Sequence, residues 1–277
     1  MDGINMFENP DYEVLDKSEF PQVPNFAFDP QDDWVKVFQT GLTQVDFDNK
    51  VIYEVGVGIG TNILFLLNHA KPAQLYFSDI DKRLTEFTYE NLQRTCPQHL
   101  HRCRPIFGNI DLIAQQLSQP ELGQLDAIIA CIPQVFCEPS DLACNDFSAH
   151  FYNGSTHTCS AHHSIGLGLN HSLLHQAKQR SPQSDVILNL SGRFGSEPLL
   201  ALFNDCGYQP SLIHEARVQQ CTTTGLDFFI RAEQQGYNCE FYADKNSTNP
   251  ITAQEAAQRI DQGPIYHSLM VIRGVSN

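Results

Sequence analysis

Basic residues are scarce: 17 lysines and arginines stand against 32 aspartates and glutamates, for a formal charge of −15 and a pI near 5.0. Most of such a surface repels phosphate backbones and anionic membranes, so neither nucleic acid nor a lipid surface is expected as a partner. Long apolar runs are missing too. The longest aliphatic stretch is of the Ile63-Leu64-Phe65-Leu66-Leu67 kind, far below the ~18 residues that a membrane-spanning helix needs. The start, Met1-Asp2-Gly3-Ile4-Asn5, has neither a basic nor an apolar leader segment, so no secretory signal is expected and the chain is placed in the cytoplasm. No Gly-x-Ser-x-Gly elbow occurs, and Cys131 has no evident histidine partner in the sequence, which argues against nucleophilic hydrolysis. Internal repeats and low-complexity tracts are also absent.

What is present belongs to a globular protein. The composition is 42% hydrophobic and 10% aromatic over 277 residues, enough for one sizeable core and too little for two full domains. Nine cysteines, an odd count without regular spacing, fit a set of reduced thiols. Two clusters have metal-ligand residue types: Cys96, His99, His101 and Cys103, and the group His157, Cys159, His162 and His163. Neither matches a common zinc spacing, and no metal is expected.

Residues 1–33 contain Pro10, Pro21, Pro24 and Pro30 among acidic and aromatic residues, which predicts an extended arm rather than a helix. The body then spans 34–277. A short helix over 33–42 carries Trp34, Val37 and Phe38 on one face. From Val51 an α/β alternation begins, with strands at 51–55, 74–78, 104–107, 125–131 and 185–190. Helices are expected at 61–69, 82–94, 112–117, 167–177 and 199–205, the last stopped by Gly207. Further β-like runs fall at 226–232, 238–242 and 266–272. Strands apolar on both faces indicate a parallel sheet covered by helices, a doubly wound architecture. Residues 132–165 make an insert too long for a plain connection, and inserts beside strand ends often carry substrate sites.

The sharpest motif is Glu54-Val55-Gly56-Val57-Gly58-Ile59-Gly60-Thr61-Asn62, set between a strand and a helix. Its glycines allow a tight turn and a close ligand approach; a purely structural turn is the alternative. Glu54 would sit badly beside a pyrophosphate and suits a cationic or amino acid-bearing ligand. Asp79 closes the second strand, where a carboxylate can accept both hydroxyls of a ribose. Capping the next helix is its alternative role.

This arrangement resembles the class I S-adenosylmethionine-dependent methyltransferases. The resemblance implies a Rossmann-like, mostly parallel sheet with an antiparallel C-terminal edge and the N-terminal arm as a lid. It implies S-adenosyl-L-methionine as cofactor, with Glu54, Gly56, Gly58, Gly60, Thr61 and Asn62 around its amino acid and ribose part and Asp79 and Ile80 at the ribose. Asn109 and Ile110, in Phe107-Gly108-Asn109-Ile110-Asp111, fall where that family contacts adenine. Cys131-Ile132-Pro133-Gln134, at the end of the fourth strand, is similar to the element found in the methyltransferase domain of methionine S-methyltransferases. So are Phe28-x-Pro30-x-Asp32-Asp33-Trp34, Gly166-Leu167-Gly168-Leu169, Asn189-x-Ser191-Gly192-Arg193 and the Tyr12-Glu13 pair. The insert is shorter than in that family, and Ser191 replaces an expected glycine. A related group, the azetidine-2-carboxylate synthases, uses the same fold to cyclise the cofactor onto its own amine.

A methyl donor demands in-line approach, so positioning carries most of the work, and a thioether nucleophile needs no base. The Cys131 carbonyl, Gln134, Ser191 and Tyr12 are the catalytic candidates, with Trp34 and Cys131 also placed against the cofactor. Tyr12, Phe28, Asn189, Tyr152 and Arg193 are the substrate candidates. The aromatics can wall a sulfonium or simply pack in the core; Arg193 can grip a carboxylate or make a surface ion pair. The expected activity is methyl transfer to a small amino acid-like acceptor such as methionine sulfur, by a monomer or homodimer. The alternatives are cyclisation to azetidine-2-carboxylate with release of methylthioadenosine, and a non-catalytic binding regulator.

Overall fold

The computed structural model describes residues 31–109, 111–134, 162, 164–221 and 224–276. Seven strands form one sheet in the order β3-β2-β1-β4-β5-β7-β6. They are β1 (Val51–Val55), β2 (Gln74–Ser78), β3 (Cys103–Pro105), β4 (Ala127–Ala130), β5 (Asp185–Ser191), β6 (Tyr208–Gln219) and β7 (Tyr266–Ser276). The first five pair in parallel, and β7 runs against both its neighbours. This is the doubly wound, Rossmann-like sheet of the class I methyltransferase fold with its antiparallel C-terminal edge. The chain winds outward through β2 and β3, then returns to lay β4 beside β1. A crevice therefore opens at the carboxyl ends of β1 and β4, the place where ligands bind in such sheets.

Period-two alternation sends each strand's side chains into two separate cores. Ile52, Leu75, Phe77, Ile129, Ile187 and Val271 face one side, where they pack with residues of the helices α1 (Asp33–Leu42), α2 (Thr61–His69) and α3 (Lys82–Thr95). Tyr53, Tyr76, Ile128, Leu188 and Ile272 face the other, against α5 (Gly168–Arg180), α6 (Glu197–Asp205), α7 (Asp227–Gln234) and α8 (Ala253–Arg259). The helix α1 presents Val37, Phe38 and Leu42 inward, and its Gly41 allows the close approach: a Cβ there would lie 2.7 Å from Val271. No described helix is long and apolar enough to cross a membrane.

Three sequence expectations are corrected. Residues 112–117 form no helix, because side chains of α5 take the backbone groups that a helix would use. Gln176 Oε1 accepts from the Ile113 N–H at 3.1 Å, and Arg180 donates to the Ile113 carbonyl. A short helix, α4 (Gln119–Leu122), opens later, where Ser118 and Glu121 form a reciprocal capping box. The β-rich run 226–232 is instead the helix α7, which buries Phe229 and Ala232 at helical spacing. Segment 238–242 forms no strand, only isolated bridges from Phe241 to Ile251 and from Tyr242 to Tyr266.

Candidate functional site

The glycine turn is fixed from both sides. Gly56 and Val57 donate to the Ser78 carbonyl at 3.0 Å, Gly58 donates to Asp79 Oδ2 at 3.0 Å, and the Thr88 hydroxyl donates to the Gly58 carbonyl at 3.0 Å. Gly56, Gly58 and Gly60 all have positive φ, of 74°, 57° and 86°, which L-residues with a Cβ rarely adopt. A Cβ on Gly60 would lie 2.7 Å from Thr88, whereas one on Gly58 would meet nothing within 4 Å. Gly60 is thus closed by packing and Gly58 faces open space. The two positions are expected to fail differently. Gly60→Ala should cost about 1–2 kcal/mol of stability in a denaturant midpoint, while Gly58→Ala should cost less than Gly60→Ala and lose ligand affinity by steric approach to the crevice.

Beneath the turn lies Glu54, only 1% exposed. Asn62, in the first turn of α2, donates to Glu54 Oε1 at 2.8 Å, but Glu54 Oε2 and Asn62 Oδ1 have no hydrogen-bond partner. Burial pushes the Glu54 carboxyl up to about 8, offset in part by Asn62 and reinforced by the neighbouring Asp79. Burial likewise pushes Asp79 up to about 6 against the bonds it accepts from Gly58 and Asp81. Two buried, unsatisfied oxygens on side chains in contact, one of them on a carboxyl group, are the groups a cationic ligand would satisfy. Asp79 does not cap the following helix; Asp81 does, accepting from the Arg83 N–H at 3.0 Å.

The rest of the crevice is assembled across the sheet. Asn109, buried, donates to Ser78 Oγ at 3.1 Å, and Ile80 is half-buried at the end of β2. The Thr61 carbonyl accepts from Gln39 at 3.3 Å. Asn189 sits next to Cys131 on the adjacent strand and donates to the Trp34 carbonyl at 2.9 Å and to Cys131 Sγ at 3.5 Å; its Oδ1 is buried and unpartnered. Burial pushes the Cys131 thiol up to about 12, so it is not a thiolate nucleophile at neutral pH. Gln134 is held by one backbone: its Oε1 accepts from the Ser191 N–H at 2.6 Å and its Nε2 donates to the Ser191 carbonyl at 3.5 Å. Trp34, half-buried, lies 6.3 Å from the ring of His267.

Arg193 makes no surface ion pair. It is 6% exposed and donates to Ser191 Oγ at 3.0 Å, Gln220 Oε1 at 2.8 Å and His267 Nε2 at 2.9 Å. Tyr12, Phe28, Ile110 and Tyr152 lie outside the described residues, as do His157, Cys159 and His163. Of the other cluster, Cys96 and Cys103 point into the core while His101 is exposed. Among the described residues no group of three metal-ligating side chains converges. Gln39, Ser78, Thr88, Gln220 and His267 were not expected from the sequence, since each joins the site only through contacts distant along the chain.

Neither a protein-family model nor a curated protein matches the sequence. Solved structures similar to this chain include methyltransferases. A precorrin-6y C5,15-methyltransferase from Geobacter metallireducens is 10% identical over 95% of this chain and 98% of its own, with a TM-score of 0.48. A methyltransferase from Pyrococcus furiosus is 14% identical over 88% of this chain and 86% of its own, at 0.45. A geranyl diphosphate methyltransferase in complex with S-adenosylmethionine is 11% identical over 90% of this chain and 93% of its own, at 0.44. Likeness of this degree speaks neither to substrate nor to reaction.

Proposed function

We propose that the protein is an enzyme that binds S-adenosylmethionine in the crevice and transfers its methyl group to a small amino acid-like acceptor. The observation that carries this reading is Glu54, a buried carboxyl group with one oxygen unpartnered beside a glycine turn whose open side is at Gly58. An α-ammonium supplies the missing donors, which an anionic pyrophosphate would not. Asp79 keeps lone pairs on both oxygens for two vicinal hydroxyls while the Gly58 and Asp81 N–H groups hold it in place. Ile80 lies beside Asp79 at the ribose, and Asn109 stands at the adenine end. When bound, the cofactor supplies an electrophilic methyl carbon on a sulfonium.

On the acceptor side, Asn189, Cys131 and Ser191 line the ends of β4 and β5, with Gln134 clamping Ser191 in place. Among the described residues, no carboxylate hydrogen-bonds to any of these groups, and the His267 ring is taken up by Arg193. An acceptor that needs no base, such as the thioether sulfur of methionine, suits this edge. A second reading, ring closure of the cofactor onto its own amine, is favoured by the same Glu54. In the empty protein it is pushed up to about 8, in the range of an α-ammonium, so once ionised beside the bound ligand it can take that group's proton.

The test is to incubate the purified protein with S-adenosylmethionine alone and then with L-methionine, and to identify the nucleoside products by mass spectrometry. S-adenosylhomocysteine that appears only with methionine is the expected result. Methylthioadenosine without any acceptor would replace transfer by cyclisation, and neither product would overturn both.

A further inference from the structure

Arg193 is a buried cation with no carboxylate partner among the described residues. Removing a guanidinium from water without an opposite charge costs several kcal/mol, and proteins normally pair such a group. Here each partner is neutral: the amide oxygen of Gln220, the hydroxyl of Ser191 and the imidazole of His267. The last is fixed as an acceptor. His267 Nδ1 lies 2.9 Å from the Ser268 carbonyl, which requires the proton on Nδ1 and leaves Nε2 with a lone pair for Arg193. Burial and the adjacent guanidinium also hold His267 well below its ordinary range, so it stays neutral. The flat face of Arg193 lies over the ring of Phe229 at 5.6 Å.

The position is as informative as the chemistry. Arg193 lies two residues past Ser191 at the carboxyl end of β5, the edge of the sheet at which the crevice opens, and Gly192 is tied to the start of β7 through the Ser268 carbonyl at 2.8 Å. Guanidinium has five N–H donors. The three bonds above use Nε and one hydrogen on each terminal nitrogen, so each terminal nitrogen keeps one. A carboxylate offers acceptor oxygens for both of the N–H groups that remain.

We propose that Arg193, held in a cradle of neutral acceptors by Gln220, Ser191 and His267, is a carboxylate-binding subsite whose counter-ion is supplied by the ligand. The inference rests on the reading of the crevice given above and deepens it. Gln220 and His267 act as positioning residues: they aim the guanidinium without neutralising it. The carboxylate can come from the amino acid end of the cofactor or from the acceptor.

The discriminating variant is Gln220→Glu, which keeps the shape and supplies an internal counter-ion. It gives up the bonds that Gln220 Nε2 donates to the Cys221 and Thr224 carbonyls, and it is expected to weaken binding of a carboxylate ligand at least tenfold by calorimetry. The probes are S-adenosylhomocysteine, L-methionine with S-adenosylhomocysteine present, acetate, and 5′-methylthioadenosine, which has no carboxylate. Loss on S-adenosylhomocysteine assigns the subsite to the cofactor, and loss confined to methionine or acetate assigns it to the acceptor. 5′-Methylthioadenosine should bind both proteins equally, and its failure to bind either would sink the nucleoside reading while leaving the acetate and methionine arms intact. His267→Gln, whose amide oxygen still accepts from Arg193, should retain binding where His267→Leu loses it. Equal affinity of wild type and Gln220→Glu for every carboxylate probe, or no binding of any of them to wild type, overturns the proposal.

Discussion

Glu54→Gln should make the empty protein more stable at pH 8 and weaken its binding of S-adenosylhomocysteine by more than a hundredfold. In the folded protein the Glu54 carboxyl is pushed from 4.5 up to about 8 by burial. The folded state therefore holds a proton that the unfolded chain releases, and stability falls as pH rises from about 4.5 to 8. A shift of this size corresponds to roughly 3–5 kcal/mol once both states are ionised, and glutamine removes that slope. Ligand binding has the opposite sign. An α-ammonium beside Glu54 favours the carboxylate, so binding expels the proton and affinity should climb toward pH 8. Above that the ligand's own amine loses its charge and affinity declines again. Removing one partner of a buried charge pair costs about 3–5 kcal/mol, which sets the size of the expected loss. Calorimetry across pH 6–9 on wild type and variant checks both halves; an identical pH profile in the two proteins would falsify the role of Glu54 as the ammonium acceptor.

The contrast between what the sequence disclosed and what it hid follows the range of the interactions. Strands β1 and β2 were legible because their apolar runs are short, doubly buried and bounded by turn residues, and the helix over 61–69 because Gly60 opens it and five apolar residues follow Asn62. The turn itself was legible because three glycines in five residues have few other uses. By contrast, β6 includes Pro210, His214, Glu215 and Arg217, and reads as a polar segment. It is a strand because β7 pairs with it along its length, around a register shift between Leu212 and His214. The helix α7 contains Phe228, Phe229 and Ile230, which favour strands, and only the packing of Phe229 among Phe194 and Phe241 decides otherwise. The site divides in the same way. Glu54, Asp79 and Asn109 each stand at the end of an early strand, where fold logic points to them. The surroundings of Arg193 come from residues 27 and 74 positions further along the chain, and no local pattern announces that they meet.

Asp79→Ala should lower affinity for S-adenosylhomocysteine by about 2–3 kcal/mol, or roughly 30- to 150-fold, through two coupled losses. The first is the pair of charge-assisted bonds that the carboxylate offers to ribose hydroxyls. The second is local: Asp79 Oδ2 accepts the Gly58 N–H and Oδ1 the Asp81 N–H, both at 3.0 Å. Without the carboxylate the Gly58 N–H loses its anchor, and the turn around it keeps the Ser78 carbonyl, the Thr88 hydroxyl and the bond from the Gly60 N–H to the Val57 carbonyl. Asp79→Asn separates the two effects. Its amide oxygen can still take the Gly58 N–H, so the turn should survive while one of the two hydroxyl acceptors and the charge are gone, and the affinity should fall between wild type and alanine. Folding stability supplies an independent reading. Because Asp79 is pushed up to about 6 by burial, the folded protein loses stability as pH rises from about 3.8 to 6, and alanine should remove that part of the slope. Unchanged affinity in a folded Asp79→Ala protein would move the ribose elsewhere in the crevice, whereas a loss as large in asparagine as in alanine would assign the whole effect to the charge and the second acceptor oxygen rather than to the turn.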